Sequence, residues 1–295
     1  MRLAHISLAL TYLLAATGAD AAAIDTETQA FHDKRIATLT REDGWLSVVG
    51  LAWLNDGANV AGSAEGSAVR FPQGAPERIG VFMRGPSGVS FEASPGVRVT
   101  ASGPLAITGS IPLAIGPEEE SEVLTTGRFL FYVIRRGDRF GVRIKDPQSA
   151  ARRNFHGIPM FPPSVAWRIE ARFEPAPAGS MLAVQNVLGQ SEPTPTPGTA
   201  VFRIAGKEYR LAPTQEGDSL FFVFADETNG KESYGSGRFL NTPLPKDGKV
   251  ILDFNQAINP PCAFTAYATC PLPPKGNRLP LRVEAGEKAA GAHGP

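Results

Sequence analysis

The chain has only four histidines and two cysteines in 295 residues, and this scarcity excludes much chemistry at the outset. His5 falls in an apolar leader and His293 in a polar tail, so a Ser–His–Asp triad could draw only on His32 or His156. Zinc sites favour cysteines two to four residues apart with further Cys or His nearby. Cys262 and Cys270 have seven residues between them and no such companions, so no metal is expected. No G-x-S-x-G, H-E-x-x-H, Walker loop or strand-linked G-x-G-x-x-G occurs, and no cofactor is implied. "YGSGR" at 234–238 has the wrong spacing for a nucleophile elbow, and "DETNG" lacks the spacing of a calcium loop.

An excess of one charge is also lacking. Lys+Arg and Asp+Glu both number 29, so the whole chain has no electrostatic preference for nucleic acid or anionic lipid. Long apolar runs are missing as well. The longest, Ile6 to Ala19, is shorter than the roughly 20 residues that span a bilayer. With Arg2 before it and Ala19-Asp20-Ala21 after it, this run reads as a cleaved signal peptide over 1–21. The expected location is therefore periplasmic or secreted, with no stable membrane insertion after cleavage.

What is present is glycine (31) and proline (26), a balance that suits short strands joined by tight turns. A helix is expected over 22–44, opened by a Thr26/Gln29 capping box. Period-two patterning then takes over. "VFMRGPSGVSFEA", "VRVTASGPLAITG" and "FLFYVIRRGDRFGVRIKD" read as strand–turn–strand units, with Arg136-Gly137-Asp138 a plain turn. In the last, Phe140, Val142 and Ile144 face a core while Arg143 and Lys145 face outward. With Arg135, Arg136, Arg139, Arg152 and Arg153 they form a basic region, either a solvated face balanced by "EEESE" at 118–122 or an anion-binding patch. "VAWRIEARFE" alternates as a half-buried strand beginning at Val165. "SEPTPTPG" reads as a connector, "VFRIAGKEYRL" as a hairpin and "LFFVFAD" as a central strand. The fold class is mostly β: antiparallel sandwich- or barrel-like sheets with one N-terminal helix. The expected division is a sandwich-like subdomain over 45–150, a second β subdomain over 151–290 and a tail at 291–295.

The polar residues concentrate late in the chain. On a strand "KVILDFNQAIN", Ile251, Asp253 and Asn255 share the face opposite Val250, Leu252 and Phe254. Asn259 follows, and Asp226, Thr228, Tyr234 and Arg238 lie just upstream. Asp and Asn at strand ends commonly cap turns, and an Arg–Asp pair can be purely structural. The same groups could bind a small polar or anionic ligand through Thr228, Tyr234, Arg238, Asn255 and Asn259. Alternatively, Asp226 and Asp253 could act as a hydrolase's acid and base, which requires one carboxyl to be desolvated. A structural envelope protein is the third reading. The two cysteines of an exported chain usually pair, so a Cys262–Cys270 disulfide is expected beside this cluster, with two buried thiols as the alternative.

"GWLSVVGLAWLNDGAN", "GVRIKDPQSAARRNFHGI", "FADETNGKESYGSGRFL" and "DFNQAINPPCAFTAYATCPLPPKGNRLPLRVEAGEK" together resemble the bacterial family catalogued as domain of unknown function 1684. The likeness runs from about Thr40 to Lys288 and coincides with Asp226, Thr228, Tyr234, Gly237, Arg238, Asp253, Asn255, Asn259, Cys262 and Cys270. It implies no reaction or cofactor. "LNDGANVAGSAEGSAVRFPQG" is similar to the opening of a forkhead-associated β-sandwich. That family's phosphate-binding Arg and Ser have no counterparts at matching positions, so phosphothreonine binding is not implied.

Overall fold

The computed structural model describes residues 6–101, 103–116 and 119–290. The first residues of the leader, Glu118 and the 291–295 tail lie outside them. One long helix, α1 (Ile6–Leu39), precedes a chain of short strands. The capping box expected at Thr26 and Gln29 does not form, because the helix already runs through both residues. Thr26 Oγ1 donates to Ala22 O (2.9 Å) and Gln29 Nε2 to Asp33 Oδ1 (2.8 Å). The helix also stops at Leu39 rather than continuing to 44. There the chain turns back so tightly that a Cβ on Gly44 would lie 2.4 Å from Leu39 O, and only glycine fits. Among the described residues no helix is long and apolar enough to cross a membrane.

The rest divides into two compact units, the first formed by Thr38–His156 with Phe264–Ala268. It contains β1 (Val48–Trp53), β2 (Gly57–Gly62), β3 (Val69–Arg70), β4 (Gly80–Gly85), β5 (Gly88–Ala93), β6 (Ser110–Leu113), β7 (Leu124–Thr126), β8 (Phe129–Arg136), β9 (Arg139–Lys145) and the short α2 (Ala150–Arg153). Two sheets result, ordered β3-β2-β4-β5-β6 and β1-β9-β8-β7, antiparallel except for the β2–β3 pair. Each gives one face to a shared core, so the unit is a sandwich rather than a closed barrel. Phe82 and Phe91 come from one sheet and Phe131, Val133, Val142 and Ile144 from the other; Phe71 meets Phe131 edge-on at 5.2 Å. The late segment 264–268 belongs here because Thr265 Oγ1 donates to Val48 O (3.1 Å) and Phe264 packs edge-on against Phe155. The strand pair expected in "VRVTASGPLAITG" is reduced to a single Thr100–Ala106 bridge.

The second unit holds α1 up to Ala37, Gly157–Ala263 and the segment from Thr269. Its strands are β10 (Arg168–Pro175), β11 (Met181–Gln185), β12 (Ser191–Pro195), β13 (Gly198–Ile204), β14 (Lys207–Leu211), β15 (Thr214–Glu216), β16 (Ser219–Phe224), β17 (Arg238–Pro243) and β18 (Lys249–Asp253). They form a β14-β13-β10-β18 sheet, a β15-β16-β17 sheet with "LFFVFAD" central, and a separate β11–β12 hairpin. Phe254 sits among Trp167, Phe202 and Phe224, with centroids at 6.1, 5.9 and 5.4 Å. "SEPTPTPG" is thus a strand rather than a connector. Pro193 and Pro195 are tolerated because β12 has one neighbour and an edge that needs no donor. "VAWRIEARFE" begins as a 3₁₀ turn, Val165–Trp167, capped by Ser164, which leaves Val165 exposed instead of inward.

Candidate functional site

The C-terminal cluster is real, but its members bond to one another. Asp226 follows the central strand β16, and Arg238 opens β17 beside it in register with Phe224. Arg238 Nη2 donates to Asp226 Oδ2 at 2.7 Å, both side chains being fully buried. Nη2 also donates to Val283 O (2.8 Å), and Nη1 donates to the carbonyl of Ala285. Asp226 Oδ1 accepts from the N–H groups of Thr228 (2.8 Å) and Val283 (3.2 Å). Burial pushes the guanidinium down from its ordinary value, and the Asp226 carboxylate opposes that. Thr228 Oγ1 lies 2.7 Å from Ser233 Oγ, completing a turn that Asn229 closes by bonding Asp226 N, Ser233 Oγ and Tyr234 O.

Asp253 and Asn255 do not share a strand face, because β18 ends at Asp253 and a 3₁₀ turn (Phe254–Gln256) follows. Asp253 caps that turn: Oδ1 accepts from Asn255 N and Nδ2, and Oδ2 from Gln256 Nε2. Asn255 turns to Ser164, accepting from its N–H (2.9 Å) and donating to its C=O (3.0 Å). Asn259 donates through Nδ2 to Lys288 O, and its own N–H reaches Glu287 Oε2 at 2.6 Å. Glu287 is also bonded by Arg35 Nε (3.2 Å) from α1. Burial pushes the Glu287 carboxyl above the usual carboxylate range, while Arg35 and the Asn259 N–H pull it back. Tyr234 Oη donates to Cys262 O (3.1 Å), and the Cys262 N–H donates to Cys270 Sγ (3.1 Å).

Ligand-binding roles for Thr228, Tyr234, Arg238, Asn255 and Asn259, and acid–base roles for Asp226 and Asp253, therefore meet groups largely engaged by the fold. Of these seven residues only Arg238 (Nε) and Asn259 (Oδ1) keep a buried atom with no partner among the described residues. The second unit's clearest cavities lie elsewhere: one of about 180 Å³ by Leu182, Val184 and Phe221, and an open groove by Ile169 and Phe173. Neither is lined by any of these seven residues. Sequence reasoning gave no role to Ser164 and Arg35, which lie far from the motif, or to Asn277 and Glu287, which lie inside its stretch. His156 is exposed, and burial lowers the pKa of His32 on α1.

A different constellation lies on the outer face of β1-β9-β8-β7 in the first unit. Alternation turns Arg143 and Lys145 away from the core, as expected, yet Arg143 is 1% exposed rather than solvated. Tyr132 on β8 and Leu51 on β1 are its cross-strand neighbours, and the Trp45 ring centroid lies 4.9 Å from its Cζ. Nη1 donates to Glu120 Oε1 (3.2 Å) and Tyr132 Oη (3.4 Å). Nε and Nη2 are buried and meet no acceptor among the described residues. Lys145 Nζ donates to Asp43 O (2.7 Å), and burial lowers its pKa against the pull of Asp43 and Glu120. Burial raises the Tyr132 phenol, so it keeps its proton.

Fold and site thus define a two-unit β protein with a tied C-terminal motif and a buried basic face. Residues 153–288 of the chain match the model of the family described as protein of unknown function DUF1684. Arg143 lies outside the matched residues. The chain is similar to an uncharacterized protein of Haloarcula marismortui known from a solution NMR structure. Identity is 30% over 48% of this chain and 81% of that one, with a TM-score of 0.40. No curated protein matches.

Two outcomes follow for the cluster. Asp226→Asn leaves Arg238 charged and buried without its counter-ion, and should cost about 3–5 kcal/mol in urea unfolding; a loss under about 1 kcal/mol would show that the pair holds little. For Glu287, a raised native pKa means that the folded state keeps a proton the unfolded chain has lost. Its contribution to stability is greatest below the ordinary carboxylate value and declines as pH rises through the native one. Glu287→Gln should remove that decline from the stability–pH curve; a parallel curve, merely offset, would contradict it.

Proposed function

We propose that the chain is an exported protein that binds a small anionic ligand, and that the ligand is taken at Arg143 rather than at the C-terminal motif. The observation that carries this reading is the buried Arg143 guanidinium whose Nε and Nη2 meet no acceptor among the described residues. Leaving a buried donor unsatisfied costs about 1–3 kcal/mol, more when it is charged, so a guanidinium with a whole edge in that state calls for a partner to explain it. The Arg143 neighbours Trp45, Leu51 and Glu120 are part-exposed. The C-terminal motif fits the architectural role, since Arg238 and Asp226 satisfy each other. The hydrolase reading gains no support, because Asp226 and Asp253 each have both oxygens engaged.

Export is supported by Arg2, the Ile6–Ala19 run and the Ala19-Asp20-Ala21 step. A Cys262–Cys270 disulfide agrees with an oxidising compartment. The structure holds both as thiols, with Cys262 N–H donating to Cys270 Sγ, so the two residues are close enough for oxidation to join them. Closing so short a loop would remove about 2–3 kcal/mol of unfolded-chain entropy.

Binding is tested by melting curves in sodium acetate and in sodium phosphate at fixed ionic strength. The parent's Tm should climb with at least one of them, and Arg143→Met, similar in volume, should stay folded and not respond. No rise, or an equal rise in both proteins, rejects the reading. For the staple, alkylation without reductant should leave the intact mass of the exported protein unchanged; two added groups would refute the disulfide.

A further inference from the structure

We infer that the Arg143 ligand is a monocarboxylate, gripped side-on by Nε–H and Nη2–H as a planar two-oxygen group. This rests on the anion-binding reading above and narrows it to one chemical class.

The guanidinium has two usable edges, and the fold has already committed one of them. Nη1 is bonded to Glu120 Oε1 and Tyr132 Oη, which fixes the rotation of the group. The remaining edge presents two roughly parallel N–H donors, the fork that matches a carboxylate. The molecule uses this edge twice elsewhere. Arg128 Nε and Nη2 hold the two oxygens of Asp146 at 2.8 and 3.1 Å. Arg41 holds those of Asp43 at 2.8 and 2.9 Å. At Arg143 the fork is the same, but no side chain among the described residues supplies the carboxylate.

Charge decides between a carboxylate and a phosphate. Arg143, Lys145 and Arg41 carry three positive charges and Glu120 and Asp43 two negative, so one monoanion balances the cluster. A phosphate dianion would set excess negative charge beside Glu120 in a poorly solvated place, where like charges repel strongly. The flanks agree. Leu51 on β1 and the Trp45 ring offer apolar surface, suited to the hydrocarbon or aromatic body of an organic acid. Tyr132 Oη accepts from Nη1 and still has its own proton to donate.

The test titrates the full chain, at fixed ionic strength, with propionate, benzoate and inorganic phosphate, following Tm and tryptophan fluorescence. The expected result is that at least one monocarboxylate binds at least tenfold more tightly than phosphate. Arg143→Lys, which keeps the charge but loses the fork, should weaken that binding at least tenfold. If phosphate binds more tightly and Arg143→Met abolishes it, the carboxylate inference falls while the anion reading stands. If Arg143→Lys binds carboxylate as well as the parent does, the fork is wrong. If none of the three probes binds through Arg143, both readings fall. Should Arg143→Lys not fold, the ranking of the three ions on the parent decides.

Discussion

The C-terminal third of the chain depends on one buried guanidinium. Among the described residues after β18 there is no further strand, only 3₁₀ turns and bridges, so their backbone groups need partners outside any ladder. Arg238 supplies donors to the carbonyls of Val283 and Ala285, while Asp226 supplies an acceptor to the Val283 N–H. One ion pair thereby pins an irregular segment to β16 and β17. The ring centroids of Phe224 and Phe161 lie 5.3 and 5.9 Å from Cζ, which keeps the pair dry. Desolvating two charges is expensive, and an apolar replacement could match the stability. It could not offer directional donors to several carbonyls at once, and that requirement selects arginine.

Asparagine does the same job on a smaller scale. Its side-chain amide carries the same N–H and C=O as a peptide, so it can pair with a backbone residue as a strand would. Asn255 does so with Ser164, Asn277 with Ala212 and Asn59 with Asn55, each accepting from the N–H and donating to the C=O. Asn277 spends a further donor on Val223 O at 2.9 Å. All three are nearly inaccessible. A sheet-rich fold with many short elements leaves many strand ends, and buried amides satisfy them without requiring longer strands.

Where periodicity governed, the sequence was readable. The β8–β9 hairpin and the Ala205-Gly206 turn follow from alternation and turn chemistry, and the central strand β16 from a run apolar on both faces, since these signals are local. The polar residues of the C-terminal motif were legible as a group, but their role was not. Asn255 looked like a strand residue because nothing local announces that the chain will coil at Phe254. Glu287, Arg35 and Ser164 were invisible for a related reason: their partners lie 28, 252 and 91 residues away, and only the tertiary fold brings them together. Val165 shows the reverse error. Its alternation is sound, but Ser164 caps a turn and removes it from the strand.

The two buried arginines separate architecture from recognition. Arg238 has both terminal nitrogens engaged by groups that the fold itself needs tied, and only Nε lacks an acceptor. A lone N–H cannot make a two-point contact, so Arg238 offers nothing a ligand could use. Arg143 is equally buried but has one whole edge of the guanidinium unengaged, on a sheet face whose own backbone is already satisfied by the ladder. The fold ties Nη1 to Glu120 and Tyr132 and one face of the group to Trp45, but it leaves the Nε–Nη2 edge without an acceptor among the described residues. A charged edge buried in that state calls for a partner to explain it. Under the binding reading proposed above, the C-terminal motif serves the fold and the outer face of β9 receives the ligand.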